Sequence, residues 1–194
     1  RFGFEIPAKR KVLDDWKELA DHVDTLDDAE EVHIAVAGKY TDLADSYLSV
    51  IKALQHASFK VNRKLVIDWI ESSALDGETE KSDSESHNSA WELLRSADGI
   101  LVPGGFGIRG IEGKIKAAEY ARENKIPYLG VCLGLQVATI EFCRNVLGMK
   151  GANSTEFDEE PAHAAVVFMP EISKTHMGGT MRLGTKPTPF LVDD

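Results

Sequence analysis

Cysteine is scarce in this chain. Only Cys132 and Cys143 occur among its 194 residues, which is too few for a disulfide framework and does not match the spacing of a metal-binding cluster. We therefore expect no structural disulfide and no metal site, and a reducing compartment, the cytoplasm, as the location of the protein.

Long apolar runs and clusters of basic residues are also missing. No apolar stretch approaches the roughly 20 residues needed to span a bilayer, and the N-terminal sequence RFGFEIPAKRKVLDDWKE lacks the apolar core of a signal peptide. The net charge is −10 at pH 7, and no basic patch offsets it, which argues against a nucleic-acid partner. We expect a protein that binds neither membranes nor nucleic acid.

The sequence does contain an alternation of apolar runs with helical patterns. Four short runs are almost wholly apolar: EVHIAVAGKY (31–40), KLVIDWI (64–70), GILVPGG (99–105) and IPYLGV (126–131). Such runs, alternating with helices, are typical of parallel strands that are covered on both faces. We predict an α/β fold, a three-layer α/β/α sandwich with a mostly parallel, flavodoxin-like central sheet.

The remaining segments have different patterns. An apolar stripe in residues 8–23 predicts an amphipathic helix that precedes the domain. Residues 72–90 are polar and acidic, so we predict a mobile surface loop there. Short runs within residues 160–192, separated by glycine and proline, predict antiparallel strands added at the edge of the sheet.

Two glycine-flanked turns follow the third and fourth predicted strands. They are PGGFG (103–107) and GVCLG (130–134). In a doubly wound sheet, binding sites form beyond the carboxyl ends of the strands. We therefore expect both turns to face one crevice.

Cys132 occupies the second turn, in a G-x-C-x-G arrangement that corresponds to a nucleophile elbow. A helix beginning near Leu133 would direct free N–H groups and a partial positive charge toward the sulfur, which favours the thiolate. The N–H of Leu133 and the backbone of Gly105 are candidate donors to an oxyanion. The alternative interpretation of Cys132 is a buried structural thiol. Cys143, in the middle of a helix without a glycine nearby, is expected to have a packing role.

Four stretches together resemble one known family. They are VPGGFGIRGIEGKI (102–115), PYLGVCLGLQVA (127–138), NSTEF (153–157) and GGTMRLG (178–184). They resemble the class I glutamine amidotransferase domain, in the form found in the CTP synthase family. The likeness runs from about residue 30 to residue 194. Residues 1–29 resemble the linker helix that joins this domain to an amidoligase domain.

The resemblance implies a glutaminase whose nucleophile, Cys132, forms a thioester with L-glutamine. It implies that Gly105 and Leu133 form the oxyanion hole, and that Gln136 and Glu156 hold the substrate. A carboxylate at Glu156 can receive the α-ammonium group of glutamine. The full set of substrate-binding positions implied in this way is Gly104, Gly105, Phe106, Leu133, Gly134, Leu135, Gln136 and Glu156. Phe106 and Arg109 match the lid over the site, and Arg182 lies in a family signature to which we assign no role.

The resemblance also implies partners and cofactors outside this domain. In that family the ammonia passes to a synthetase domain of the same polypeptide, where UTP activated by ATP is aminated to CTP. It therefore implies no cofactor in residues 30–194, ATP and Mg²⁺ in the synthetase domain, and GTP as an activator. The full enzyme is expected to be a homo-oligomer, a tetramer.

One part of the family pattern is missing from this sequence. The catalytic base of the family and its orienting carboxylate lie in a His-Pro-Glu motif, and none of the six histidines here is followed by Pro-Glu. The arginine-rich substrate-binding segment of the family is absent too. We expect that the domain is C-terminally truncated and that these residues alone hydrolyse little or no glutamine, because the thiolate lacks its base and ammonia lacks a proton donor.

Alternative interpretations remain. The missing base slightly favours a non-catalytic scaffold or regulatory module that keeps the fold. The amidotransferase subunit of another synthetase, such as one making GMP or anthranilate, is a further alternative, although NSTEF and GGTMRLG argue against it. A cysteine hydrolase of the same general fold would share the elbow but would not need Gln136 and Glu156.

Overall fold

A computed structural model describes residues 11–39, 41 and 44–168 of the chain. The helices in these ranges are α1 (Lys11–Asp24), α2 (Leu48–Val61), α3 (Gly77–Ser82), α4 (Ser84–Ser96), α5 (Ile111–Asn124) and α6 (Leu133–Asn145). The strands are β1 (Glu31–Gly38), β2 (Lys64–Glu71), β3 (Gly99–Val102), β4 (Tyr128–Gly130), β5 (Ala152–Ser154) and β6 (His163–Val166). Short 3-10 turns lie at Leu26–Asp28, Ala44–Tyr47 and Ser72–Leu75.

The first four strands form one sheet in the order β2-β1-β3-β4. All three pairings are parallel. The chain first moves outward from β1 to β2 and then returns to place β3 on the other side of β1, so the strand order reverses there. This is the flavodoxin-like order, which places ligand sites beyond the carboxyl ends of the strands. The predicted fold class is confirmed.

Alternate residues of the strands face opposite helical layers. Ala35 in β1 and Val102 in β3 belong to a buried core that α4, α5 and α6 complete. The neighbouring residues Ile34 and Leu101 face the other way, and they line a cleft together with Leu54 of α2. Helices therefore cover both faces of the sheet, as a three-layer sandwich requires.

The prediction of a loop at residues 72–90 is wrong, because this segment forms a 3-10 turn, α3 and the first half of α4. The carboxylate of Asp76 accepts a hydrogen bond from the N–H of Glu78 at 3.2 Å, and that of Asp83 accepts one from Ser86 at 3.1 Å. Aspartate in this position caps the first turn of a helix. Leu75 is buried against the core, so one apolar side chain anchors a segment whose average composition is that of a loop.

The predicted antiparallel strands at 160–192 are corrected in part. One strand, β6, does form, but it pairs in parallel with β5, in a two-stranded sheet separate from the central one. An eight-residue connection, 155–162, returns the chain to the starting end of β5, and that return sets the direction of β6. The apolar run that forms β6 does not indicate whether its partner strand is parallel or antiparallel. The runs GGTMRLG and PFLVD lie outside the described residues.

The expectation that the run IPYLGV forms a strand covered on both faces is wrong for Leu129 and Val131, since both residues are substantially exposed. In the part of the chain that the structure describes, β4 pairs with β3 alone and is an edge strand. An apolar run of three or four residues looks the same at an edge as in the centre of a sheet.

Candidate active site

Cys132 lies at the junction of β4 and α6, with its side chain exposed. Its backbone has φ 53° and ψ −106°, a conformation that residues with a side chain seldom adopt. Backbone strain of this kind is kept where the surrounding structure holds it, often at a functional site. The alternative of a buried structural thiol is contradicted by the exposure of Cys132.

The glycines on either side of Cys132 allow the turn to be this tight. A β-carbon on Gly130 would lie 2.5 Å from the carbonyl carbon and oxygen of Gly134, far inside van der Waals contact. The hydroxyl of Tyr128 donates a hydrogen bond to that same carbonyl at 2.8 Å. Burial raises the pKa of Tyr128 well above its usual range, so the hydroxyl stays a donor. The close contact at Gly130 and the hydrogen bond from Tyr128 therefore both hold the elbow in place.

The first turn of α6 presents its N–H groups to the elbow. The N–H of Gly134 donates to the carbonyl of Val131 at 2.9 Å, and those of Leu135 and Gln136 donate to the carbonyl of Cys132 at 3.1 and 3.2 Å. The N–H of Leu133, directly after Cys132, is not a donor in these turn bonds. Its position at a helix N-terminus suits it to receive a developing negative charge.

The loop that follows β3 lies against the elbow, as the placement of the two glycine turns predicts. A β-carbon on Gly104 would lie 3.4 Å from Cβ and 3.9 Å from Sγ of Cys132, and one on Gly105 would lie 3.5 Å from Cδ2 of Leu133. Gly104 therefore brings bare backbone to the sulfur, and Gly105 brings it to Leu133, the residue after Cys132. A substrate carbonyl placed at this point could meet N–H groups from two loops.

Glu156 approaches the same loop from the other side. Its N–H donates to the Ser154 hydroxyl at 3.1 Å, within a turn that follows β5. Its carboxylate accepts a hydrogen bond from the N–H of Gly107 at 3.4 Å. Gln136 is half-buried in the first turn of α6, and Leu135 beside it is exposed. The loop after β3 therefore contacts both the elbow and the Glu156 turn, while the roles of the predicted substrate residues stay predictions.

The two predicted lid residues differ in their contacts. Phe106 is 74% exposed. Arg109 forms an ion pair with Glu71, at the carboxyl end of β2, at 3.3 Å. Arg182 lies outside the described residues.

Two lysines lie beneath the loop. They are not among the site residues predicted from the sequence. Lys39, directly after β1, donates hydrogen bonds from Nζ to the carbonyls of Phe106 at 2.7 Å and Gly107 at 3.3 Å. Lys114, in α5, is 1% exposed, and its Nζ would lie 3.9 Å from a β-carbon on Gly105. Burial, and then the charge of Lys39, lower the pKa of Lys114 to about 8. A signal for Lys114 exists in the sequence, because it lies on the apolar stripe of α5 beside Ile111 and Ile115.

Three of the five described histidines contact other groups, while His56 lies near the Phe59 ring and His163 is exposed in β6. His22 contacts the carbonyl of Phe59 at 2.9 Å, His33 contacts Asp68 at 3.0 Å, and His87 contacts the carbonyl of Ala74 at 2.8 Å. Within the described ranges, no group of three or more His, Cys, Asp or Glu side chains could hold a metal ion. No helix in those ranges is both long and apolar enough to cross a bilayer.

A protein-family model matches the part of the chain that forms this site. The family model "Glutamine amidotransferase class-I" matches residues 42–194, a range that includes the elbow, the loop after β3 and the Glu156 turn. The chain belongs to this family. The resemblance predicted from the four sequence stretches is confirmed at the level of the class I amidotransferases.

Relatives with curated names are similar over nearly the whole chain. The chain is 60% identical over 185 residues to CTP synthase of Eremothecium gossypii, covering 94% of this chain and 32% of that relative. It is 57% identical over 178 residues to CTP synthase of Dictyostelium discoideum, covering 90% and 31%. The chain therefore spans about a third of the length of these relatives.

A solved amidotransferase structure is similar as well. It is described as the Trypanosoma brucei CTPS glutaminase domain with bound acivicin. The match has a TM-score of 0.65 and 43% sequence identity, and it covers 74% of this chain and 53% of that chain.

Proposed function

We propose that this chain is the glutaminase domain of a CTP synthase. As part of the whole enzyme, the domain hydrolyses L-glutamine through a thioester on Cys132 and supplies ammonia for the ATP-dependent amination of UTP to CTP. The observation that carries the proposal is the exposed, strained Cys132 next to Gly104 and Gly105. The identity to named CTP synthases supports the choice of this synthetase over one that makes GMP or anthranilate.

The chemistry starts with attack by the Cys132 thiolate on the carboxamide carbon of glutamine. The carbonyl oxygen takes the negative charge, and the N–H groups of Leu133 and Gly105 donate to it. One such donor typically contributes a factor of about 100 to 1,000 in rate. When the carbon–nitrogen bond breaks, the nitrogen takes up a proton and leaves as ammonia, and a thioester remains. Water then attacks the thioester and releases glutamate and the thiol.

Glu156 orients the substrate in this proposal. Its carboxylate already accepts the N–H of Gly107, so it is placed at the rim of the crevice. An ammonium group is a stronger donor than a backbone N–H, so the α-ammonium of glutamine would displace or share that bond. Gln136, in the first turn of α6, offers an amide to the substrate's polar groups.

The ligase activity requires parts beyond this domain. In this proposal ATP and Mg²⁺ act in the amidoligase domain and GTP acts as an activator, so no step above passes through them. The exposed apolar face of α1 is an argument for a neighbouring domain that packs on it. Its residues Leu13 and Trp16 are each 64% exposed. We assign residues 1–29 to the linker, the whole enzyme to a homo-oligomer, and its location to the cytoplasm, where thiols stay reduced.

The experiment that tests the proposal is covalent labelling with acivicin, a glutamine-mimicking electrophile. We expect one label per chain at Cys132, identified by peptide mass spectrometry, and protection by L-glutamine. Cys132→Ala abolishes the label. Cys143→Ala is the matched control, because Cys143 lies in the last turn of α6, at the end away from Cys132, and it labels like the wild type.

A scaffold that only keeps the fold gives a different result. Its Cys132 would react with iodoacetamide but not preferentially with acivicin, and glutamine would give no protection. That pattern would overturn the proposed function.

A further inference from the structure

The backbone of Lys39 is held by two hydrogen bonds with the hydroxyl of Tyr47. Its N–H donates to the hydroxyl of Tyr47 at 2.9 Å, and that hydroxyl donates to the carbonyl of Lys39. The Tyr47 ring is buried and packs against Trp69, with ring centroids 5.4 Å apart. A β-carbon on Gly38 would lie 2.8 Å from the same hydroxyl. The carboxyl end of β1 is therefore a rigid base for the lysine side chain.

The ammonium of Lys39 holds one peptide unit of the active-site loop. Nζ donates to the carbonyl of Phe106 at 2.7 Å, and the N–H of the same peptide unit, that of Gly107, donates to Glu156. A trans peptide directs its C=O and N–H to opposite sides. Lys39 and Glu156 thus hold the 106–107 peptide from its two sides.

Few other contacts in the described residues could fix this loop. The side chains of Phe106 and Ile108 are 74% and 69% exposed, so they add little burial. Among the described residues, no backbone–backbone hydrogen bond involves residues 103–107. The exposed part of the loop, residues 106–108, therefore depends on the hydrogen bonds to Lys39 and Glu156 more than on packing.

The lysine is kept there at a cost in stability. Its side chain is 9% exposed, and its hydrogen-bond acceptors are neutral carbonyls. Burial, and then the charge of Arg109, lower the pKa of Lys39, while the charges of Glu71 and Glu156 act in the opposite direction. A buried cation whose hydrogen-bond acceptors are neutral is costly, and groups with a shifted pKa concentrate at functional sites.

We propose that Lys39 is a positioning residue for glutamine hydrolysis: by holding the 106–107 peptide, it sets the loop that brings Gly104 to Cys132, Gly105 to Leu133 and Gly107 to Glu156. In this role Lys39 acts through the loop, because its Nζ donates to the carbonyls of Phe106 and Gly107. The inference rests on the proposed function, because it concerns the same glutamine site.

The test compares two electrophiles on the same protein. Acivicin needs the shaped site, whereas iodoacetamide needs only an accessible thiolate. We expect Lys39→Met to lower the second-order rate constant of acivicin labelling at least tenfold and to change that of iodoacetamide less than twofold. Lys39→Arg, which keeps the charge and the donors, recovers labelling to within threefold of the wild type. Lys150→Met, at an exposed lysine outside the site, changes neither rate.

Hydrogen exchange gives a second readout. In Lys39→Met, the peptide covering residues 103–108 is expected to exchange faster than in the wild type, with no change in α5 or α6. If Lys39→Met does not fold, as seen by circular dichroism, Lys39→Arg and Lys39→Gln are compared, and the first is expected to label at least threefold faster. Equal ratios of acivicin to iodoacetamide rates in all folded variants would overturn the inference. A wild type that acivicin does not label overturns the proposed function instead, so the two failures are distinguishable.

Discussion

A β-carbon on Gly134 would lie 2.1 Å from the carbonyl oxygen of Val102. The first turn of α6 therefore rests on the backbone at the end of β3, two residues before Gly104. This contact brings the two glycine turns together, because the helix that begins at the elbow and the strand that leads into the loop meet without a side chain between them.

Gly134→Ala is expected to destabilise the protein, although alanine is normally the better helix residue by about 1 kcal/mol. The methyl group has no space against the backbone of Val102, and overpacking of this kind costs about 3 kcal/mol. Urea unfolding followed by circular dichroism measures the change. The rate of acivicin labelling of the folded fraction is expected to fall together with the stability.

Gly77→Ala is the matched control for that change. Gly77 is the first residue of α3, and a β-carbon there would meet nothing within 4 Å. The control is expected to be neutral or to stabilise by about 0.5 kcal/mol. If both variants unfold at the same urea concentration as the wild type, the close contact at Gly134 is not a constraint.

The elbow could be predicted from the sequence because its signal is local. Two glycines around Cys132, an apolar run before it and a helical stripe after it lie within a dozen residues. The meeting of the two turns then follows from a general property of parallel sheets. The helices at 72–90 could not be predicted in this way, because caps and one buried leucine are single-residue features that an average over the segment hides.

Asp83→Ala tests the unexpected helix α4. The carboxylate caps the helix by accepting from the N–H of Ser86, and removal of such a cap typically costs about 1 kcal/mol. We expect a loss of that size in urea unfolding. Glu92→Ala, at an exposed position of the same helix, is expected to stay within about 0.5 kcal/mol of the wild type. A mobile loop at 72–90 would make the two variants indistinguishable.

The inward orientation of the two lysines beneath the loop could not be predicted from the sequence for another reason. Lysine is normally a surface residue, and one sequence does not reveal that Lys39 and Lys114 point inward. The apolar neighbours of Lys114 on α5 indicate a buried face, but the charge itself suggests the opposite. Only the packing of α5 under the loop resolves this conflict.

Lys114→Met is expected to stabilise the protein at pH 7. Burial, and then the charge of Lys39, lower the pKa of Lys114 from 10.5 to about 8, with Glu71 acting in the opposite direction. The unfolded chain binds the proton more tightly, so the folded wild type gains stability as the pH rises from about 8 to about 10.5. A shift of this size corresponds to at most about 3 kcal/mol.

Urea unfolding of both proteins at pH 7 and pH 9.5 checks this expectation. The advantage of Lys114→Met, about 1 to 3 kcal/mol at pH 7, shrinks at pH 9.5. Lys116→Met, two residues along α5 with its side chain half exposed, serves as the control and shows no such pH dependence. A stability gap for Lys114→Met that is equal at both pH values would contradict the assignment.

A protein of these 194 residues is expected to react once with acivicin at Cys132 and to show little or no steady-state glutamine hydrolysis. Thiolate attack needs the elbow and the N–H donors, which the described residues supply. Turnover also needs a group that protonates ammonia and activates water. Among the described histidines, His22, His33 and His87 contact other groups, His56 lies near the Phe59 ring and His163 is exposed in β6. No histidine in the sequence precedes Pro-Glu. Release of glutamate and ammonia over hours, compared with Cys132→Ala, measures the turnover. Hydrolysis well above that variant would show that a group already present in this chain acts as the base.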